Sequence, residues 1–205
     1  MPGDPPFLQF VSDTSNGYEA IAAEFMAGRG ARAGVGVGVR TIQEWTRTVR
    51  AGGAVLDIGC GPGYPITQLL VEAGLHAHGV DASPTMVAQC RARFPSMPLE
   101  CNTVERSNLF GREFDGVIAW GLLFLLPPAA QAQVIGKVAS ALARGGRFIF
   151  TAPQQACEWS DSMTGQRSAS LGAQRYRQLL EAAGLHLSDE TDDEGDNHYY
   201  MAFKP

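Results

Sequence analysis

Between Ala54 and Ala152 the chain alternates short apolar runs with segments whose apolar residues recur at helical spacing. The runs "AVLDI", "HAHGV", "PLECN", "EFDGVIAW" and "RFIFTA" have the length and bounding residues of buried strands. Among them, "PITQLLVEAG", "SPTMVAQCRARF" and "PPAAQAQVIGKVASALARGG" read as helices. This rhythm predicts a doubly wound, Rossmann-like, mostly parallel sheet with helices on both faces. Upstream, Tyr18, Ile21, Ala22, Phe25 and Met26 lie at helical spacing, with Ser15 or Asn16 as the N-cap, and a glycine-rich bend leads to a second helix over Val39 to Arg50. Downstream, "SLGAQRYRQLLEAAG" predicts a helix capped by Ser170 and closed by Gly184. The runs "LHLSDE" and "HYYMAFK" follow, too close together for a crossover helix, so they predict an antiparallel C-terminal hairpin. The stretch from Gln154 to Ser170 shows no regular period and reads as a long lid or binding loop on the edge that follows the fifth strand. One domain over 1–205 is expected: a helical cover at 1–50, a cofactor-binding core at 51–152, and a substrate-side loop, helix and hairpin at 153–205.

Composition narrows what such a domain can bind. A chain of 205 residues, 45% hydrophobic, suffices for one well-buried α/β core. Its net charge of -5 and only 16 Lys and Arg, with no run of them, argue against a surface built to neutralise nucleic-acid phosphates. The four cysteines form no CxxC pair and lack histidines at zinc-ligand spacing, so neither a disulfide frame nor a metal site is expected. The N-terminal stretch has no basic region and no apolar run of membrane length, which predicts a soluble, cytoplasmic protein without membrane contact.

Candidate chemistry concentrates in "VLDIGCGPGYPI". Gly59, Gly61 and Gly63 read G-x-G-x-G, and Tyr64 stands where the dinucleotide fingerprint places its third glycine. No Lys-Ser or Lys-Thr follows, which excludes a P-loop. Asp81 ends the next apolar run, where a carboxylate can accept hydrogen bonds from both hydroxyls of a ribose. A bare loop with a ribose acceptor points to a nucleoside.

"VLDIGCGPG" and "GVDASPTMV" resemble the first and second motifs of the class I S-adenosylmethionine-dependent methyltransferases, and the resemblance spans roughly Ala51 to Ala152. It implies a seven-stranded sheet with an antiparallel last strand and S-adenosyl-L-methionine as cofactor, leaving as S-adenosyl-L-homocysteine. By position, Gly59, Cys60 and Gly61 approach the methionine part of the cofactor, and Asp57 orders the loop and reaches the ligand ammonium through water. Asp81 takes the ribose hydroxyls, and Ala82 and Met86 flank the adenine. Asn102 stands where the family often has Asp and offers its side-chain oxygen to the adenine amino group, with Thr103 and Val104 along the same ring. Ala119 and Trp120 lie beneath the sulfonium. Tyr18 and Arg29 sit on the covering helix, as ligands of the methionine carboxylate or as a half-buried tyrosine and a solvated arginine. Cys60 and Cys101 have no sequence neighbour that lowers a thiol pKa and read as packing residues.

The acceptor side is less determined. The turn of the last hairpin lies on the carboxyl edge of the sheet, which makes His198 a candidate base or substrate anchor, or else a residue paired with backbone. Tyr199 is a candidate for stacking on a substrate ring, and Trp159 either faces the substrate or holds the lid down. The expected activity is methyl transfer to a nitrogen or oxygen of a small molecule. Alternatives are a protein or tRNA substrate reached with a partner subunit, a non-catalytic S-adenosylmethionine-binding module, and a nicotinamide-dependent oxidoreductase, the last disfavoured by Tyr64.

Overall fold

The computed structural model describes residues 14–30 and 36–205. A cover formed by the turns of 15–21, helix α1 (Ala22–Gly30) and helix α2 (Val39–Thr46) precedes the sheet. Then follow β1 (Ala54–Ile58), α3 (Ile66–Glu72), β2 (His76–Asp81), α4 (Pro84–Arg93), β3 (Leu99–Cys101), β4 (Phe114–Ala119), α5 (Pro128–Ala141) and β5 (Leu142–Thr151). The remainder is β6 (Ala156–Ser160), β7 (Arg167–Leu171), α6 (Ala173–Ala182), β8 (His186–Asp192) and β9 (His198–Phe203).

Seven strands form one sheet in the order β3-β2-β1-β4-β5-β9-β8. Pairing is parallel from β3 through β5, and β9 alone runs against both its neighbours. The predicted antiparallel strand therefore lies one place inside the edge, between β5 and β8. Alternation along each strand feeds two cores. Leu56, Val117, Phe148, Phe150 and Tyr200 face α5 and α6, whereas Val55, Ile118, Ile149 and Tyr199 face α2 and α3. Burial on both faces explains why the central strands read as continuous apolar runs. Strand order reverses between β1 and β4, which opens a crevice at their carboxyl ends.

The expected lid over 154–170 is a hairpin, with Trp159 paired to Ser168 and Cys157 to Ser170. Its buried positions are Asp161 in the connecting turn and Ser168, Ala169 and Ser170 on β7, small or polar, so no hydrophobic alternation betrays it. The one local signal is Gly165, at φ +70° in the connecting turn. Ser170 accordingly lies in β7 and does not cap α6, whose N-cap is Gly172. Its hydroxyl donates to Pro153 O at 2.6 Å. Helix α1 begins at Ala22 because Ser15 Oγ accepts from Glu19 N at 2.8 Å and closes a separate turn before it. Helix α2 stops at Thr46, where Thr48 Oγ1 donates to Trp45 O, and α5 stops at Ala141.

Candidate functional site

A cavity sits in the crevice above β1, β2 and β4, the place where open α/β sheets bind ligands. Its floor is the turn after β1. Gly63 is required there: its φ is +78°, and a Cβ at this position would stand 2.8 Å from both Cys90 Sγ and a Phe94 ring carbon, so α4 could not approach. Asp81, at the end of β2, organises the floor. Its Oδ2 accepts from Gly61 N and its Oδ1 from Ser83 N, each at 2.8 Å. Burial pushes the Asp81 carboxyl above its ordinary value, the two N–H donors oppose this, and the nearby Glu19 charge adds to it. Ser83 also caps α4, accepting from Met86 N at 3.1 Å.

Of the expected cofactor residues, Tyr18, Gly59, Cys60, Gly61, Asp81, Ala82, Met86, Asn102, Thr103, Val104 and Trp120 line this cavity. Two do not. Ala119 is fully buried and points into the α5/α6 core. Asp57 lies behind the floor, 1% exposed, with its Oδ2 accepting from Thr67 Oγ1 at 2.7 Å. The Arg29 side chain lies outside the described residues. Asn102 is tied to its own strand: its Oδ1 accepts from Thr103 N and its Nδ2 donates to Glu100. One lone pair of its oxygen is left for a ligand. The Cys60 thiol is pushed up by the adjoining Cys90 thiol and by burial, so it stays protonated, in keeping with a packing role. Among the described lining residues there is no lysine, arginine or histidine, and the charged groups are Asp81 and Glu105.

A second cavity lies at the carboxyl end of β5, bounded by Phe124, Thr151, Trp159, Asp161, Asp192 and His198 among others. Trp159 rests against Phe124, with ring centroids 5.5 Å apart. Both expected substrate-facing side chains Trp159 and His198 border it, but His198 does not have the setting of a free base. Its Nδ1 is 2.6 Å from Asp192 Oδ1, and its Nε2 is sealed from solvent, without a hydrogen bond and 3.6 Å from Glu190 Oε1. Glu190 in turn pairs with Arg177. Nδ1 is taken by Asp192 and Nε2 is cut off from solvent, so His198 is placed as wall. Tyr199 is a correction of a different kind. The pleat of β9 turns it to the face opposite His198, fully buried, and it reaches neither cavity. Its hydroxyl accepts from Trp120 Nε1 and donates to Asp193 Oδ2, both at 2.8 Å, and so fixes the Trp120 ring in the first cavity. Asp193 likewise is more than a solvated acid. Burial raises its carboxyl, but donors on Asn197, Tyr199 and Gly195 outweigh that and hold it below the ordinary value.

Several contributors carried no sequence signal. Lys137 on α5 donates to Val104 O and Glu105 O, both at 2.9 Å, and holds the turn that walls the first cavity. Thr151, which lines the second cavity, accepts at its Oγ1 from the N–H of Gly121, which lines the first, at 2.8 Å. Glu19 reaches from the cover to Ser83 and Thr85. These are long-range pairings, invisible to motif spacing.

A family model described as a methyltransferase domain matches residues 55–146, the span that holds the glycine turn, Asp81 and Trp120. An uncharacterized methyltransferase of Bacillus subtilis, YdaC, is 28% identical over 131 residues, covering 61% of this chain and 71% of that protein. A tRNA U34 carboxymethyltransferase of Idiomarina loihiensis is 26% identical over 131 residues, 59% of this chain but only 39% of that enzyme. The Burkholderia thailandensis 1,6-didemethyltoxoflavin-N1-methyltransferase, crystallised with 1,6-didemethyltoxoflavin and S-adenosylhomocysteine, superposes with a TM-score of 0.71 at 20% identity, over 99% of this chain and 93% of that one. That likeness concerns the fold. No helix among the described residues is long and apolar enough to cross a membrane.

Proposed function

We propose that this chain, whose residues 55–146 match a methyltransferase domain, is a class I S-adenosylmethionine-dependent methyltransferase that carries a methyl group to a nitrogen or oxygen of a small molecule. The observation that carries the donor side is the pairing of a glycine turn with Asp81 in a cavity whose described lining has no cationic residue. A phosphorylated nucleotide needs cations or a free helix N-terminus at its phosphates. A nucleoside bearing a sulfonium needs neither. Asp81 offers its remaining lone pairs to the ribose, Met86 and Val104 flank the base, and Trp120, fixed by Tyr199, closes the wall at the reacting end.

When bound, S-adenosylmethionine supplies an activated methyl group that leaves by in-line displacement, so the chain mainly has to align the acceptor and exclude water. Trp159 and Phe124 present ring faces for an apolar or aromatic acceptor. Asp161, Asp192 and Asp196 border the second cavity, with no lysine or arginine among its described lining residues. This favours a neutral or cationic acceptor over a phosphate-bearing one and weighs against tRNA. Asp192, 63% exposed, is the group placed to pass an acceptor proton to solvent.

Thermal-shift and calorimetric titration with S-adenosylmethionine, S-adenosylhomocysteine and NAD tests the donor assignment, since a ligand bound only by the folded state raises its stability. Stabilisation by both S-adenosyl compounds and none by NAD is expected. Asp81→Ala should weaken S-adenosylhomocysteine about 10- to 100-fold, the worth of charge-assisted hydrogen bonds. Unchanged affinity in that variant means that the ribose is held elsewhere, and stabilisation by NAD alone overturns the reading.

A further inference from the structure

Resting on that reading, we propose that Glu19 is a positioning residue that latches the N-terminal cover over the donor cavity, and that the same segment passes donor occupancy on to the wall of the acceptor cavity. The latch is explicit in the hydrogen bonds. Glu19 Oε2 accepts from Ser83 Oγ and, at 3.1 Å, from Thr85 N, while its Oε1 accepts from Thr85 Oγ1 at 2.7 Å. Ser83 N and Gly61 N both donate to Asp81. A continuous chain therefore runs from the cover through Ser83 and Asp81 to the glycine turn. The turn that carries Glu19 is itself held, because Glu19 N donates to Ser15 Oγ at 2.8 Å.

The residues of this turn face the first cavity and touch the hairpin that bounds the second. Ser15, Asn16 and Tyr18 line the first. Gly17 lies against the tip of the β6–β7 hairpin: a Cβ there would stand 3.1 Å from Thr164 Cβ. The Tyr18 hydroxyl is 3.4 Å from Asp161 Oδ2, a long bond. Asp161 Oδ1 in turn accepts from Met163 N, Thr164 N and Thr164 Oγ1, and Asp161 lines the second cavity. A donor that fills the first cavity contacts the underside of this segment and favours its closed position. The closed segment then supports the hairpin tip that shapes the acceptor cavity. Donor occupancy then tightens acceptor binding, and by linkage the acceptor tightens the donor by the same factor.

Amide hydrogen exchange of the hairpin tip, with and without saturating S-adenosylhomocysteine, reads this coupling directly. In the wild type the ligand should slow exchange at the Met163 and Thr164 amides about tenfold, a typical coupling between sites. Glu19→Ala should bind S-adenosylhomocysteine about tenfold more weakly and, when saturated, show no slowing at those amides. Glu19→Gln keeps an acceptor oxygen for the Thr85 donors and should recover part of both effects. Slowing that persists undiminished in Glu19→Ala, or wild-type protein that is saturated yet shows none, overturns the latch while leaving the donor assignment standing. Failure of the wild type to bind S-adenosylhomocysteine contradicts both.

Discussion

The Asp57 carboxyl, one residue before the end of β1, is almost wholly removed from water, with Thr67 as its hydrogen-bond donor. Burial, opposed by Thr67 and reinforced by the charge of Asp81, raises it from 3.8 to about 7. Its folded value thus lies above its unfolded one, and the folded chain keeps a proton that the unfolded chain releases between these limits. The contribution to stability is fully present below the unfolded value and is lost as pH rises through the folded value. Asp81, shifted in the same direction, adds to the decline. Urea unfolding across this range should therefore show stability falling as pH rises, and Asp57→Asn should flatten that fall. A slope unchanged in Asp57→Asn assigns the effect to other groups. A carboxyl poised near neutrality behind the glycine turn also suits a ligand that brings an ammonium group, since a cation there favours the ionised form.

At the scale of elements, the β6–β7 hairpin gives the second cavity its aromatic wall, and its attachment to α6 depends on Gly172. That residue has φ +82°, and a Cβ on it would stand 2.9 Å from Ala156 N, so Gly172→Ala meets both backbone strain and a clash with backbone. The variant should lose at least about 1 kcal/mol, seen as a fall in Tm of roughly 2–4 °C by thermal denaturation. No change in Tm contradicts the close approach of β6 to the start of α6. The hairpin also shows where local reading of sequence fails. Strands of the central sheet are buried on both faces and spell themselves out as apolar runs. The hairpin buries serines and an alanine on β7 and exposes most of β6, so its composition matches that of a loop.

For the molecule as a whole, the donor side was legible because its determinants are local: three glycines after a strand, and an acid at the end of the next. The acceptor side draws on the segment after β4, the end of β5, the β6–β7 hairpin and the start of β9. No periodicity joins these. The inward placement of β9 has the same origin, since strand order is a tertiary choice, whereas the turning of Tyr199 away from the cavity that His198 borders follows from the pleat of the strand. In the proposed function these two cavities serve one transfer, from donor to small acceptor. The most direct test incubates the purified protein with methyl-labelled S-adenosylmethionine and a panel of small amines, phenols and carboxylates, following S-adenosylhomocysteine and labelled products together. The account predicts S-adenosylhomocysteine formed in step with a methylated small molecule, with no macromolecule present. Turnover that requires added tRNA or protein, or tight donor binding without turnover on any acceptor, contradicts it.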